Sequence, residues 1–178
     1  MNRPIPNAYW VIPKRLLAGE YPISGYGDAR ARLALFREAG INYFLDLTQK
    51  REMPGYSHLL PVHTKYVNHP VVDMAVPTDS QQMAGLLADL DAALKSDRNV
   101  YVHCRAGIGR TGTVIGCYLS QAHGDGRRAL RELNELWGQS ARSASWPKVP
   151  QTQEQADYIE RWPTLVKPSR ELSRGSGR

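Results

Sequence analysis

Residues 99–123 read NVYVHCRAGIGRTGTVIGCYLSQAH, and this stretch restricts the fold more than any other. Its first five residues, NVYVH, centre on β-branched Val100 and Val102 and aromatic Tyr101, as expected of a buried strand. Its last thirteen, TGTVIGCYLSQAH, are apolar around most of a helical circumference, which predicts a helix enclosed by other elements. A glycine-rich turn joins the two. A strand running through such a turn into a buried helix belongs to a layered α/β structure. The turn then lies at the carboxyl edge of a sheet, where such folds bind ligands.

The flanking sequence agrees. AYWV (8–11) and RLLAG (15–19) predict two short strands around Pro13. The stretch 27–40 predicts a helix burying Leu33 and Phe36 and closed by Gly40. INYFLDL (41–47) is almost uninterrupted in its apolarity, and TKYVNH (64–69) predicts another strand. A helix follows, with Thr78 and Gln81 in a capping-box pattern and Met83, Leu86, Leu87, Leu90 and Leu94 on one face. The segment 126–138 is amphipathic through Leu130, Leu133 and Trp137. A last helix is expected from about Thr152 to Trp162, stopped by Pro163. The alternation predicts an α/β fold: a central, mostly parallel twisted sheet of about four to five strands with helices on both faces. Residues 1–162 form one expected domain. Residues 163–178 form a basic tail rich in Pro, Ser, Gly and Arg, expected to be disordered.

Composition narrows the partners. The net charge is +6 and favours anionic ligands. Half of it resides in the tail, where Lys167, Arg170, Arg174 and Arg178 face only Glu171. No pattern of interleaved aromatics accompanies these cations, which argues against a nucleic-acid partner. No apolar run is long enough to span a membrane, and the first residues lack the apolar core of a secretory signal. Two cysteines make no disulfide framework. The expected setting is the cytoplasm, whose reducing conditions suit a working thiol.

The glycine turn admits two readings. GIGRTG satisfies the G-x-G-x-x-G dinucleotide fingerprint. That motif needs an acidic residue about 20 positions on, at the end of the next strand. The nearest acid, Asp125, lies instead in HGDGRR, between two helices. The second reading begins at Cys104. Successive backbone N–H groups at a helix start make an anion cradle, here supplied by Arg105, Ala106, Gly107, Ile108, Gly109 and Arg110. Arg110 adds a planar fork of donors suited to phosphate oxygens. A thiol at the base of the cradle feels both the helix terminus and the guanidinium, which favour its thiolate. The group that binds phosphate therefore activates a nucleophile beneath it. Cys117, in mid-helix, reads as a small core residue.

His103, Cys104, Gly107, Arg110 and Thr111 match H-C-x-x-G-x-x-R-[ST] in full. On these residues the chain resembles the cysteine-dependent protein tyrosine phosphatase superfamily, over roughly residues 9–162. Its length is closer to the compact dual-specificity-like and small microbial members. The resemblance implies hydrolysis of phosphate monoesters through a phosphocysteine intermediate, without metal or cofactor. The substrate would be a phosphorylated protein or a small phosphoester. Phosphotyrosine in proteins comes first, with phosphoserine and phosphothreonine as further substrates of the same class, and a phosphoinositide or inositol phosphate second, since Arg105 fits the lipid-directed pattern while Ile108 does not. A catalytically silent phosphate-binding module is the alternative of another class, although such relatives lack the Cys, the Arg or the Asp.

The resemblance also distributes roles. Asp73, in HPVVDMAVPT and 31 residues before Cys104, would be the general acid. Thr111 would bond the Cys104 sulfur and ease its departure. His103 would be buried and order the cysteine rather than act as a base. QTQEQ (151–155) matches the family's Q-T-x-[DE]-Q, so Gln151 or Gln155 would place the hydrolytic water. Thr152 and Gln155 equally fit a helix capping box. Glu52 or Asp46, after a central strand, could orient Arg110 by a charge-assisted bond. His58, His63, His69 and His123 show no metal-ligand spacing.

Overall fold

The computed structural model describes residues 2–25, 27–77 and 79–166. Five strands form one sheet: β1 (Ala8–Ile12), β2 (Leu16–Gly19), β3 (Tyr43–Asp46), β4 (Lys65–Asn68) and β5 (Val100–His103). Their order is β1-β2-β5-β3-β4. β1 pairs antiparallel with β2, while β2, β5, β3 and β4 are mutually parallel. β5 is thus central, and both of its neighbours run with it.

Five α-helices cover the sheet: α1 (Ala29–Glu38), α2 (Ser80–Lys95), α3 (Gly109–His123), α4 (Gly126–Trp137) and α5 (Gln153–Leu165). Strand side chains alternate between two cores, as the twofold period of a strand requires. Leu16, Ala18, Tyr43, Leu45, Val100 and Val102 pack on the side of α2, α3, α4 and α5. Leu17, Phe44 and Tyr101 pack on the other, with Leu33 and Phe36 of α1. Helices on both faces explain why the central strands are almost wholly apolar.

Three expectations about the helices need correction. The helix α2 is capped by Asp79, whose carboxylate accepts from Gln81 N at 2.8 Å. An acidic acceptor over the first N–H groups is favoured there by the helix dipole. Thr78, expected as the cap, lies outside the described residues. On the same helix Ala93 joins the core while Leu94 is only half-buried. Finally, α5 does not stop at Pro163 but runs through it to Leu165. A proline there removes the N–H that would bond the Ile159 carbonyl. Ser120 Oγ of α3 supplies the missing donor at 3.2 Å, so the helix continues without an orphaned acceptor. The remainder of the expected tail, residues 167–178, lies outside the described residues.

The three helices α3, α4 and α5 pack closely. A Cβ on Gly126 would lie 2.4 Å from Glu160 Cα, so only glycine lets the start of α4 approach α5. This packing brings the segment before α5 against the start of α3, where the cysteine turn lies. No helix among the described residues is long and apolar enough to cross a membrane.

Candidate active site

Cys104 leaves the carboxyl end of β5, and Arg110 is the second residue of α3. Both are buried. The turn between them folds back, so that Gly107 N–H donates to Cys104 Sγ at 3.3 Å. Gly107 has φ 76°, and a Cβ there would meet Gly19 C at 2.5 Å. Both facts require glycine, one for conformation and one for space. Tyr21 N–H pins the turn by donating to Arg105 O at 3.1 Å.

The start of α3 differs from every other α-helix start among the described residues. Asp28, Asp79, Asp125 and Thr152 cap α1, α2, α4 and α5 with side-chain oxygens. Ile108 gives α3 no such acceptor. The positive end of a buried helix is therefore left for an external anion.

Arg110 is held as a fork. Its Nη1 and Nη2 donate to the two oxygens of Glu52 at 2.7 and 2.6 Å. Nη1 also donates to Val71 O at 3.2 Å, and Nη2 lies 3.1 Å from Asp73 Oδ1. Nε is buried with no partner, one donor remaining for a ligand oxygen. Burial works against the guanidinium charge, but the Glu52 bonds and nearby anionic groups outweigh it and raise its pKa. In return, the Arg110 hydrogen bonds hold the Glu52 carboxyl below its ordinary range. Of the two acids considered for this task, the structure selects Glu52. Asp46 is buried and committed elsewhere. It accepts from Thr48 N, Thr48 Oγ1 and Tyr66 O–H at 2.8, 2.7 and 2.7 Å.

Asp73 sits on the loop between β4 and α2, which is fastened on both sides of it. Arg110 holds Val71 O, and Gln155 Nε2 donates to Ala75 O at 3.1 Å. Asp73 itself is about half exposed. The next residue, Met74, has φ 61°, a left-handed turn that redirects the chain beside the acid.

The two glutamines converge on the same place. A Cβ built on Gly109 would lie 3.0 Å from Gln151 Oε1 and 3.1 Å from Gln155 Oε1 and Nε2. Their commitments differ. Gln155 is fully buried, its Oε1 accepts from Gln151 N and Thr152 N, and it completes a capping box with Thr152. Gln151 has no side-chain hydrogen bond among those of the described residues, and it is only half-buried.

Thr111 departs from the role the family resemblance implies. Its buried hydroxyl donates to Gly19 O at 3.4 Å, and no bond to Cys104 Sγ is present. The end of β2 packs against the turn at Gly107, and Gly19 O there takes the hydroxyl.

His103 is buried beneath the turn. Its Nδ1 faces Cys104 O at 3.4 Å and Asp46 Oδ1 at 3.8 Å. Two acceptors there place the proton on Nδ1, so Nε2 accepts from Tyr56 O–H at 2.6 Å. Burial pulls the imidazole pKa down to about 4, and the Arg110 charge adds to this against the opposing Asp46. The unfolded chain therefore binds a proton between pH 6.5 and 4 that the folded chain does not. Stability is complete above pH 6.5 and falls as pH drops towards 4, by on the order of 3 kcal/mol from this group. Urea unfolding at pH 7 and pH 4.5 measures it. His103→Gln is expected to lose distinctly less stability than the native chain over that interval. Equal losses would show that another group governs acid sensitivity.

Tyr56 is the partner that sequence reading missed, because MPGYSH carries no motif and only the fold brings it to His103. Among the described residues no cluster of three or more His, Cys, Asp or Glu could hold a metal ion. Cys117 is buried in α3, and burial pushes its thiol well up.

A cysteine-bearing turn at an uncapped α-helix start, with a clamped arginine at its far end, accords with a cysteine phosphatase-like α/β domain. The family model described as "PTP-SAK: Swiss Army Knife protein, DSP-PTPase phosphatase domain" matches residues 6–157, and the chain belongs to that family. One relative is 197R of Invertebrate iridescent virus 6, named as a candidate tyrosine phosphatase. It is 23% identical over 159 residues, covering 88% of this chain but 53% of the viral protein. The chain thus spans about half the length of that relative. The fold also resembles that of Tk-PTP in its active form, with a TM-score of 0.71 and 22% identity, covering 89% of this chain and 97% of the other. The structure of PTPMT1 in complex with PI(5)P gives a TM-score of 0.63 at 14% identity, covering 85% and 91%.

Proposed function

We propose that this domain hydrolyses phosphate monoesters, with phosphotyrosine in proteins as its first substrate class. The observation that carries the reading is the Cys104 sulfur folded under the uncapped start of α3, with Arg110 clamped at the other end of the same turn. In the first step the Cys104 thiolate attacks phosphorus in line. The S–P bond forms, the P–O bond to the leaving group breaks, and Asp73 gives its proton to the departing oxygen. The turn amides and Arg110 receive the equatorial oxygens, where charge stabilisation is most effective. In the second step Asp73 takes a proton from water as the water oxygen attacks phosphorus. The P–S bond breaks, inorganic phosphate leaves and the thiolate returns. Gln151 is the better candidate to hold that water, since the Gln155 amide is occupied by its capping and loop bonds.

A second reading, hydrolysis of a phosphoinositide or inositol phosphate, draws on the exposed Arg105 at the rim of the turn. The buried Ile108 speaks against it, since a second basic residue is absent from that position. The cytoplasm remains the proposed location, on the reduced-thiol argument.

Initial-rate assays test the proposal. Aryl phosphate hydrolysis is expected, with inhibition by vanadate. Asp73→Asn should lower kcat roughly 100-fold with KM changed by less than about twofold. The loss should be greater for phosphotyrosine than for p-nitrophenyl phosphate, whose leaving group needs protonation less. A variant with native kcat on both substrates would remove Asp73 from the mechanism. An inert native protein would leave the phosphate-binding module as the better account. A panel of phosphotyrosine and phosphoserine peptides, inositol phosphates and phosphoinositides ranks the substrate classes.

A further inference from the structure

A groove of about 880 Å³ runs between α4 and the segment that leads into α5. Its size is typical of sites that bind extended ligands or several side chains, roughly 300–1,000 Å³. Leu130, Trp146 and Pro147 supply its apolar wall. Trp146 is 40% exposed, a large ring left partly in water. Trp and Tyr are the residues most often found at recognition surfaces.

The groove is held in shape. The Asn134 side chain accepts from Val149 N–H at 3.0 Å and donates to Val149 O at 2.8 Å. Trp137 Nε1 donates to Trp146 O at 2.7 Å. A preformed surface of this kind loses little freedom when it binds. One end of the groove is Gln151, the same residue whose Oε1 borders Gly109 of the cysteine turn. Gln151 therefore borders both the groove and the turn.

Charge selects the occupant. Among the described residues, Arg131 and Lys148 are the only charged groups lining the groove, and no carboxylate faces them there. Asp157, one turn into α5, is engaged by Gln153 Nε2 at 2.7 Å. Ser145, Gln151 and Gln153 line the same walls. A hydrocarbon chain would leave those polar groups without partners, whereas a peptide backbone can bond them.

We propose that this groove docks the acidic, apolar stretch of polypeptide flanking the phosphorylated residue of a protein substrate. The proposal rests on the phosphatase reading of the adjoining turn. Arg131 and Lys148 pair with substrate carboxylates, and Trp146 receives an apolar side chain between them. Docking raises the affinity for the whole substrate and leaves the chemistry at Cys104 untouched.

The test uses the full chain carrying Arg131→Glu and Lys148→Glu together, both exposed positions outside the catalytic machinery. The substrates are a phosphotyrosine peptide flanked by Glu and Leu, the same peptide flanked by Lys, and p-nitrophenyl phosphate. The native chain is expected to prefer the acidic peptide. The double variant should lose about tenfold in kcat/KM on that peptide, while p-nitrophenyl phosphate stays within about twofold. Fluorescence anisotropy of the labelled, unphosphorylated acidic peptide supplies a readout free of catalysis, and its binding should weaken by a similar factor. Native-like peptide binding and turnover in the variant would overturn the groove assignment. So would a variant that keeps its peptide turnover but loses activity on phosphoinositide vesicles, which would make the occupant a membrane. Should the native chain leave p-nitrophenyl phosphate intact, the phosphatase reading falls, and the anisotropy comparison still decides the groove.

Discussion

Replacing Cys104 with serine is expected to abolish turnover, by roughly 10⁴-fold or more, while leaving phosphate binding largely intact. In the proposed mechanism the two effects separate because the turn has two jobs held by different atoms. Binding rests on main-chain N–H groups at the start of α3 and on Arg110, none of which the substitution touches. Chemistry rests on Sγ, the acceptor of the Gly107 N–H. An alcohol oxygen at neutral pH is a far poorer nucleophile than a thiolate, and a serine hydroxyl is also a poorer leaving group from phosphorus. Calorimetric titration of the Cys104→Ser chain with a phosphotyrosine peptide, beside its steady-state rate, checks both halves. A variant that still hydrolyses aryl phosphates at a substantial rate would exclude the phosphocysteine mechanism.

The second large effect is expected at Arg110. Arg110→Lys should lower kcat/KM about 10³-fold, although the charge is conserved. Lysine offers a compact ammonium. It cannot bond both oxygens of Glu52, reach Val71 O and present a planar edge to phosphate at once. Glu52→Gln tests the same unit from the other side. It keeps the shape of the clamp but removes its charge, and should lower kcat/KM by roughly 10- to 100-fold. Because Arg110 is buried, weakening its anionic partner also costs stability, measurable as a lower urea midpoint. Competitive inhibition by inorganic phosphate separates binding from chemistry in both variants. Native kcat/KM in Arg110→Lys would mean that the guanidinium geometry is not used.

The comparison of sequence with structure turns on range. Where a residue's task is set by its immediate neighbours, the sequence was enough. The spacing of His103, Cys104, Gly107 and Arg110 lies within one strand–turn–helix unit, so the strand, the turn and the start of the helix are read from it directly, while Tyr21 and Gly19 hold the turn in place. The largely apolar run 41–47 and the apolar residues 100–102 likewise announced strands buried on two faces. The capping box of Thr152 and Gln155 is local too, and it formed as the pattern predicts.

Where a task depends on residues distant in the chain, the sequence left alternatives that only packing resolved. Glu52 and Asp46 were equal candidates to hold Arg110. The fold gave Asp46 to Thr48 and Tyr66 and turned Glu52 onto the guanidinium. Gln151 and Gln155 were equal until α5 buried one of them against Ala75. Pro163 reads as a helix stop, yet Ser120 of another helix satisfies the carbonyl it frees. Thr111 found its acceptor in Gly19, a strand end some ninety residues earlier. Local preferences are properties of a few bonds and can be read from a string. Hydrogen-bond partners across the core are settled by which chain segments meet, and that is decided only when the whole sheet and its helices close together.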